Sequence, residues 1–156
     1  MLEIEIPGFK RLSLSNLVLD YNGTLACDGN LIAGVRERLE LLSKRLGIYV
    51  LTADTFGGVG KELAALPCRV SVIPPQNQAL AKAETIRDLG PERCVAIGNG
   101  RNDQAMLKEA ALGIAVVQTE GASIEAVLSA DVLSRNIIEA LDLLLNPLRL
   151  TATLRG

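Results

Sequence analysis

The first residues whose types and spacing could do chemistry lie where an apolar segment meets a glycine turn, in Leu17-Val-Leu-Asp20-Tyr-Asn-Gly-Thr24. An aspartate that ends a buried strand is held rigidly, and the turn behind it aims backbone amides at the same space. A carboxylate in that setting can attack phosphorus, because nearby amides and a cation take up charge on the non-bridging oxygens. Taken alone, the segment is equally consistent with a turn aspartate followed by Asn-Gly.

Two further candidates follow along the chain. Thr52 ends an apolar run, and its hydroxyl could donate to a phosphoryl oxygen. Lys82 lies near the start of a helical segment, where its ammonium could neutralise Asp20 and a bound phosphate. Each has a plainer interpretation. Threonine is common at strand ends, with Asp54 or Thr55 as the N-cap of the next helix, and a lysine in this position is most often a solvated surface residue.

The fourth candidate is Val95-Ala-Ile-Gly98-Asn-Gly-Arg-Asn-Asp103, a strand and a glycine-lined turn with an acidic residue at the start of a helix. Glycines let the backbone approach a ligand closely, and a helix N-terminus favours an anion such as phosphate. Asn99 and Asp103 can both present oxygen to a hard cation, as Mg²⁺ requires. A tight loop capped by Asp103 is the alternative interpretation.

The elements that must position these residues alternate along the chain. Short apolar runs that suit strands covered on both faces are separated by segments with helical spacing, which predicts a three-layer α/β fold with a parallel sheet. The expected strand order, 3-2-1-4-5, would place Asp20 beside Asn99 at the switch point, where ligands bind in such sheets. The predicted strands are 17–20, 48–52, 69–73, 94–97 and 113–117, and the predicted helices lie around 35–46, 61–65, 80–89, 104–111, 124–128 and 137–145.

Composition excludes several classes of function. The chain has 156 residues, 49% of them hydrophobic and 22% charged, so we expect one globular domain over 1–156. A net charge of −2 offers no basic field for nucleic acid or an anionic membrane. The sequence has no histidine, which excludes imidazole bases and histidine-rich zinc sites. Three cysteines without paired spacing, and no signal peptide or apolar span, predict a cytoplasmic protein.

Three shorter segments carry predictions of their own. Residues 1–14 alternate polar and apolar, which predicts an antiparallel edge hairpin with Pro7-Gly8 as its turn. Residues 26–30 predict a small hairpin flap beside the site. Residues 137–156, a C-terminal helix and tail, are rich in leucine and interrupted by Pro147. Core packing explains these leucines, and a subunit interface in a homo-oligomer is the alternative.

Taken in order, the four motifs resemble those of the haloacid dehalogenase-like (HAD) superfamily of phosphatases and phosphotransferases. The family's motifs are Asp-x-Asp-Gly-Thr, a Thr or Ser, a Lys, and Gly-Asp-Gly-x-Asn-Asp or a relative. On that resemblance Asp20 is the phosphate-accepting nucleophile. The resemblance implies a Mg²⁺ site at Asp20, the backbone carbonyl of Asn22, Asn99 and Asp103, and a phosphate site at Gly23, Thr52, Ala53, Lys82 and Asn102.

The motifs are closer still to the phosphorylation domain of P-type ATPases, which has Asp-Lys-Thr-Gly-Thr, Thr-Gly-Asp and Gly-Asp-Gly-x-Asn-Asp. Residues 20–24, 52–54 and 98–103 follow these nearly step for step, and residues 120–133 resemble the end of that domain. The chain therefore resembles soluble relatives of these ATPases. One helix and its loops fill each interval between motifs, so we expect no cap domain. An open site would accept a large substrate or be covered by a neighbouring subunit.

Two departures from the family pattern bear on the chemistry. Asn22 stands where phosphatases of the family carry the general acid–base aspartate, and an amide cannot replace help worth about 10²–10⁴-fold. Asn99 stands where the family has a metal-ligating aspartate, so one negative charge is lost. We therefore expect slow Mg²⁺-dependent hydrolysis or transfer of a phosphoryl group through phospho-Asp20, from a phosphorylated substrate that is a small molecule or larger.

Two other classes of function are consistent with the sequence. One is a non-catalytic module that binds phosphate or a phosphorylated ligand, and the other is a structural or regulatory subunit of a larger assembly. The retained Asp20 favours an enzyme. A pure binding module gains nothing from an anion set against phosphate unless a cation bridges the two.

Overall fold

The computed structural model describes residues 1–53 and 58–156, so the predicted helix cap at Asp54 or Thr55 lies outside the described residues. The strands are β1 Leu2–Ile6, β2 Lys10–Leu14, β3 Asn16–Asp20, β4 Ala26–Cys27, β5 Asn30–Leu31, β6 Gly47–Thr52, β7 Arg69–Val72, β8 Cys94–Gly98, β9 Leu112–Val116 and β10 Val132–Ser134. The helices are α1 Val35–Leu42, α2 Gly58–Leu63, α3 Gln78–Leu89, α4 Gln104–Glu109, α5 Ile124–Ser129, α6 Ile137–Leu145 and α7 Pro147–Leu154.

The central sheet has six parallel strands in the order β10-β9-β8-β3-β6-β7. The predicted order 3-2-1-4-5 is confirmed, because β7-β6-β3-β8-β9 is that order in the numbering of the prediction. The structure adds β10 at one edge, a strand too short to show an apolar run. Leu19 pairs with Ile97 and Asp20 pairs with Leu51, so the ends of β3, β6 and β8 meet at one edge of the sheet.

The inner strands β3, β8 and β9 are buried on both faces, as their continuous apolar sequences require, whereas the edge strand β7, predicted to be covered, is exposed. Leu17, Val18 and Leu19 of β3 are all fully buried. Because successive side chains in a strand point to opposite faces, Leu17 and Leu19 join the core with Leu39 of α1, while Val18 joins the core with Ile86 of α3. The middle strand is therefore held from both sides, and Asp20 at its end is held with it.

The amino-terminal hairpin forms as predicted around Pro7-Gly8, with Gly8 at φ 77°. Its placement at the sheet edge was wrong, because β1 and β2 make a two-stranded sheet of their own. The reason is topological. The chain passes from β2 into β3 with Ser15 alone between them, and both sides of β3 are already paired with β6 and β8. The apolar face of the hairpin joins the core instead.

The carboxyl-terminal segment is two helices, because Pro147 begins α7 where an N–H is not needed. Leu141, Leu144 and Leu150 are buried, so core packing explains most of the leucine-rich pattern, whereas Leu148 remains 85% exposed. The predicted small hairpin at residues 26–30 is confirmed as β4–β5. Its turn has Asp28 at φ 50° and Gly29 at φ 81°, the positive values that two-residue hairpin turns need. No described helix is long and apolar enough to cross a membrane.

Candidate active site

The centre of the site is the ammonium of Lys82, which projects from α3 to the carboxyl edge of the sheet. Its Nζ donates to Asp20 Oδ1 and to Asp103 Oδ1, each at 2.6 Å. Asn102 Oδ1 lies 3.3 Å from the same atom. Lys82 is only 2% exposed, so the interpretation as a solvated surface lysine is wrong. The structure brings Asp20, Lys82 and Asp103 into one buried cluster.

The electrostatics of this cluster follow from two carboxylates sharing one ammonium. Burial works to lower the pKa of Lys82, but Asp20 and Asp103 outweigh burial, and the pKa of Lys82 is raised. Burial, together with repulsion from Asp103, raises the pKa of Asp20 to about 7 against the attraction of Lys82. When all three groups are ionised, one negative charge is left over in a buried site. Such a charge attracts a proton or a cation.

Asp103 is held entirely by protein donors. Its Oδ2 accepts from the backbone N–H of Asn99 at 2.9 Å and of Gly100 at 2.8 Å, and its Oδ1 accepts from Lys82. The carboxylate thus closes the glycine-lined turn after β8 and fixes the ammonium. Both of its oxygens are engaged, which makes Asp103 a support for Lys82 in this structure.

Thr24 connects Asp20 with the turn after β8. Its hydroxyl donates to Asp20 Oδ2 at 3.0 Å and lies 3.3 Å from Asn99 Oδ1. The Asn99 amide is oriented with its oxygen inward, because Nδ2 donates to the carbonyl of Gly121 at 3.0 Å. A hydroxyl has one proton, so it cannot satisfy both acceptors at once. Asp20 Oδ2 and Asn99 Oδ1 therefore share one donor, and a hard cation between them would satisfy both oxygens. The residues present fit Mg²⁺.

A cavity of about 730 Å³ opens onto this cluster. Of the predicted site residues, the described lining includes Asp20, Asn22, Ala53, Lys82, Asn99 and Asn102 but not Gly23, Thr52 or Asp103. Thr52 is buried at the end of β6, directly before Ala53. The sequence interpretation did not include the other described wall residues, which are Gln78, Ala79, Gly100, Arg101, Gln104 and Glu120.

The side chains of the wall are mostly neutral. Asn22 is exposed in the cavity, and Asn102 Nδ2 donates to Gln78 Oε1 at 2.6 Å. Among residues 1–53 and 58–156, no group of three His, Cys, Asp or Glu side chains is placed to hold a metal ion. A cation here would therefore depend on amide and backbone oxygens beside Asp20, which agrees with the loss of charge at Asn22 and Asn99.

Comparison with known proteins identifies the family. A family model described as haloacid dehalogenase-like hydrolase matches residues 77–132, which include Lys82 and the turn after β8. The chain is 45% identical over 83 residues to the uncharacterised Methanocaldococcus jannaschii protein MJ0073, a match that covers 51% of this chain and 89% of that protein. The chain belongs to the haloacid dehalogenase-like hydrolase family.

Solved structures show the same fold. A Streptomyces avermitilis protein provisionally named a HAD family hydrolase has a TM-score of 0.71 and 19% identity, with 92% of each chain covered. The 3-deoxy-D-manno-octulosonate 8-phosphate phosphatase of Moraxella catarrhalis, solved with magnesium, phosphate and KDO, has a TM-score of 0.66 and 19% identity. That match covers 86% of this chain and 87% of the phosphatase. At these identities the likeness establishes the HAD-like α/β fold alone.

A first prediction concerns the stability cost of the buried charge. Asp20 has a folded-state pKa of about 7, above its ordinary value of 3.8. Between these two pH values the folded protein keeps a proton on Asp20 that the unfolded chain has already lost. The free energy of unfolding of the metal-free protein should therefore fall as pH rises from about 4 to about 7. Asp20→Asn should raise Tm at pH 8, by about 2–4 °C for each kcal/mol relieved, and change it little at pH 5.

Thermal unfolding in the presence of a chelator measures this effect. Asp28→Asn, the same substitution at an exposed aspartate of the flap, serves as the control and should leave Tm unchanged at both pH values. An Asp20→Asn variant less stable than the wild type at pH 8 would contradict the charge account.

A second prediction concerns Gly23, whose φ is +80°. A β-carbon there would lie 2.5 Å from Asn99 Nδ2 and 2.8 Å from Glu120 Oε2. Gly29 has nearly the same φ, +81°, but no atom lies within 4 Å of its β-carbon position. Gly29→Ala should therefore cost only backbone strain, about 1 kcal/mol, and Gly23→Ala about 1–2 kcal/mol more. Urea unfolding measures the free energy of unfolding of both variants. Equal losses of free energy would show that Asn99 and Glu120 move aside at little cost.

Proposed function

We propose that the protein is a Mg²⁺-dependent phosphohydrolase or phosphotransferase that works through an aspartyl phosphate on Asp20. The observation that carries the proposal is the buried contact of 2.6 Å between Lys82 Nζ and Asp20 Oδ1 at the floor of an open cavity. A carboxylate that is fixed by an ammonium and a hydroxyl, and faces open space, is positioned as a nucleophile. Membership of a hydrolase family supports the same chemistry.

The residues divide the work of the first step. The Asp20 carboxylate attacks phosphorus, and the bond to the leaving oxygen breaks, which leaves a phosphoryl group on Asp20. Lys82 stabilises the negative charge that builds on the non-bridging oxygens. Thr52 and the backbone at Gly23 and Ala53 are the proposed further donors to the phosphoryl group, with Asn102 beside Lys82.

The proposed cation site uses Asp20 and Asn99 Oδ1, which both lie beside the Thr24 hydroxyl, and the backbone carbonyl of Asn22, a residue that lines the cavity. When bound, Mg²⁺ supplies positive charge that offsets repulsion between Asp20 and the phosphate. We assign Asp103 to this site as the residue that holds Lys82 and closes the turn, because it is fully buried, does not line the cavity, and accepts from two backbone N–H groups as well as from Lys82. The magnesium complex of the structurally similar Moraxella catarrhalis phosphatase supports a divalent cation in this fold.

Asn22 sets the proposed rate. Its side chain reaches the cavity, where a general acid would protonate the leaving oxygen, but an amide has no proton to give at neutral pH. The leaving oxygen must then take its proton from water, and the attacking water lacks a base in the second step. The sequence likeness to the phosphorylation domain of P-type ATPases supports the same outcome, a phosphoenzyme that persists.

The second candidate is a non-catalytic module that binds phosphate or a phosphorylated ligand. The neutral Asn22 and Asn99 favour this candidate, since both replace carboxylates on which catalysis in the family depends. The two candidates differ in one observable, which is covalent phosphate on Asp20.

The test is to incubate the protein with Mg²⁺ and acetyl phosphate and to locate the added phosphoryl group by mass spectrometry. We expect one modified residue, Asp20, and no modification when Mg²⁺ is removed by a chelator. Asp20→Asn should abolish the modification, whereas the matched Asp28→Asn should keep it. Phosphate binding without any covalent product after long incubation would establish the binding module instead.

A further prediction concerns the missing acid. Asn22→Asp should speed the loss of phosphate from Asp20 by about 10²-fold, because a carboxyl group at position 22 can activate the attacking water. The decay of the phosphoenzyme after removal of acetyl phosphate gives the rate. Asn30→Asp, the same change at an exposed flap residue, is the control. An unchanged decay in Asn22→Asp would remove position 22 from the proton chemistry.

A further inference from the structure

The cation site of the proposed function is short of negative charge. Asp103 has both oxygens engaged by protein donors, and Asp20 shares Lys82 with it. The other proposed ligand oxygens, Asn99 Oδ1 beside Thr24 and the backbone carbonyl of Asn22, are neutral. A divalent cation is usually held by one or two carboxylates together with water, so the site would gain from one more anionic group.

Glu120 lies beside these ligands. The β-carbon position of Gly23 is 2.8 Å from Glu120 Oε2 and 2.9 Å from Asn99 Oδ1, so the carboxylate and the amide oxygen lie against the same α-carbon. Glu120 also lines the cavity that contains Asp20. Its side chain is exposed at the rim, where water has access.

The loop that carries Glu120 is attached to the loop after β3. Gln118 Nε2 donates to the carbonyl of Gly23 at 2.9 Å and to the carbonyl of Thr24 at 2.7 Å. The oxygen of the same amide accepts from the N–H of Ile137 at 3.0 Å. One glutamine side chain therefore binds the start of α6 to the residues that follow Asp20.

The same loop is attached to the turn after β8. Asn99 Nδ2 donates to the carbonyl of Gly121 at 3.0 Å, and the carbonyl of Asn99 accepts from the N–H of Ser123 at 2.8 Å. Glu120 lies between these two attachments and is held on both sides. Its backbone is fixed to the two elements that present Asp20 and Asn99.

The Glu120 carboxylate has no ion pair or hydrogen bond with any residue in the described ranges 1–53 and 58–156. Glu125, five residues further on, differs in this respect, because its Oε1 lies 3.7 Å from Arg101 Nε. A glutamate on a fixed loop at the mouth of the cavity is thus available to a ligand, and the ligand that the neighbouring oxygens suit is a cation.

We propose that Glu120 supplies the second negative charge to the divalent cation, through direct contact or through a water molecule of its hydration shell. The proposal rests on the proposed function for the identity of the cation site. On this proposal, Glu120 provides from a different loop the negative charge that an aspartate at position 99 would have provided.

Binding of Mn²⁺ to the metal-free protein, without any phosphate, tests the proposal independently of catalysis. Free Mn²⁺ is measured by electron paramagnetic resonance, and calorimetry with Mg²⁺ provides a second measurement. We expect Glu120→Gln to raise the Kd about 10-fold, as the loss of a supporting carboxylate does at other metal sites. Glu125→Gln, which removes the same charge nearby and releases Arg101, should change the Kd less than Glu120→Gln does.

A double variant gives the sharper test. In the Glu120→Gln background, Asn99→Asp should restore affinity, because it returns a carboxylate to the same cation. Equal Kd values for the wild type and Glu120→Gln, or a loss no larger than that of Glu125→Gln, would overturn the proposal. So would the absence of any binding at millimolar Mn²⁺. Phosphorylation of Asp20 is measured separately, so failure here is distinguishable from failure of the proposed function.

Discussion

The site depends on one ammonium shared by two buried carboxylates. Lys82 is 2% exposed, and burial of a charge is costly unless partners surround it. Asp20 and Asp103 provide those partners at 2.6 Å each, but together they leave one negative charge without a counterpart. That unpaired negative charge lowers the free energy of unfolding and also raises the affinity of the site for a cation. The neighbouring Asn99 oxygen and the loop after β3 add neutral oxygen ligands that favour the same cation.

The fold delivers this cluster through the ends of adjacent parallel strands. Asp20 ends β3, Asn99 follows β8, and Thr52 ends β6. Lys82 comes from α3, which packs against the same face as Val18. Two antiparallel additions, the hairpins β1–β2 and β4–β5, lie outside the central sheet. The cavity of about 730 Å³ lies at this edge, with Asp20 and Lys82 in its wall.

Sequence patterns predicted the parts of this structure that depend on local regularity. Apolar runs predicted the four inner strands β6, β3, β8 and β9, since strands buried on both faces have few other interpretations, and they also located the exposed edge strand β7. The three-residue β10 left no such pattern, and the displacement of the amino-terminal hairpin depends on which strands already flank β3. Neither can be read from local spacing.

The site shows the same division between local motif and tertiary contact. Asp20, Asn99 and Asp103 are visible as strand-end residues, but the burial of Lys82 and the full engagement of Asp103 depend on how α3 meets the turn after β8. Glu120 was missed because its loop has no motif for chemistry, and only its attachment through Gln118 and Gly121 brings it to the cavity. The position of the Glu120 carboxylate at this site can therefore be recognised only from the three-dimensional structure.

The most direct test of phosphoryl transfer to Asp20 is a crystal structure with Mg²⁺ and beryllium trifluoride, which mimics a phosphoryl group on a carboxylate. The account predicts the beryllium atom bonded to an Asp20 oxygen, with the Lys82 ammonium in contact with a fluorine atom. It also predicts the cation between Asp20 and Asn99. Beryllium trifluoride bound elsewhere in the cavity, or an Asp20 carboxylate without the adduct at saturating concentration, would contradict the account.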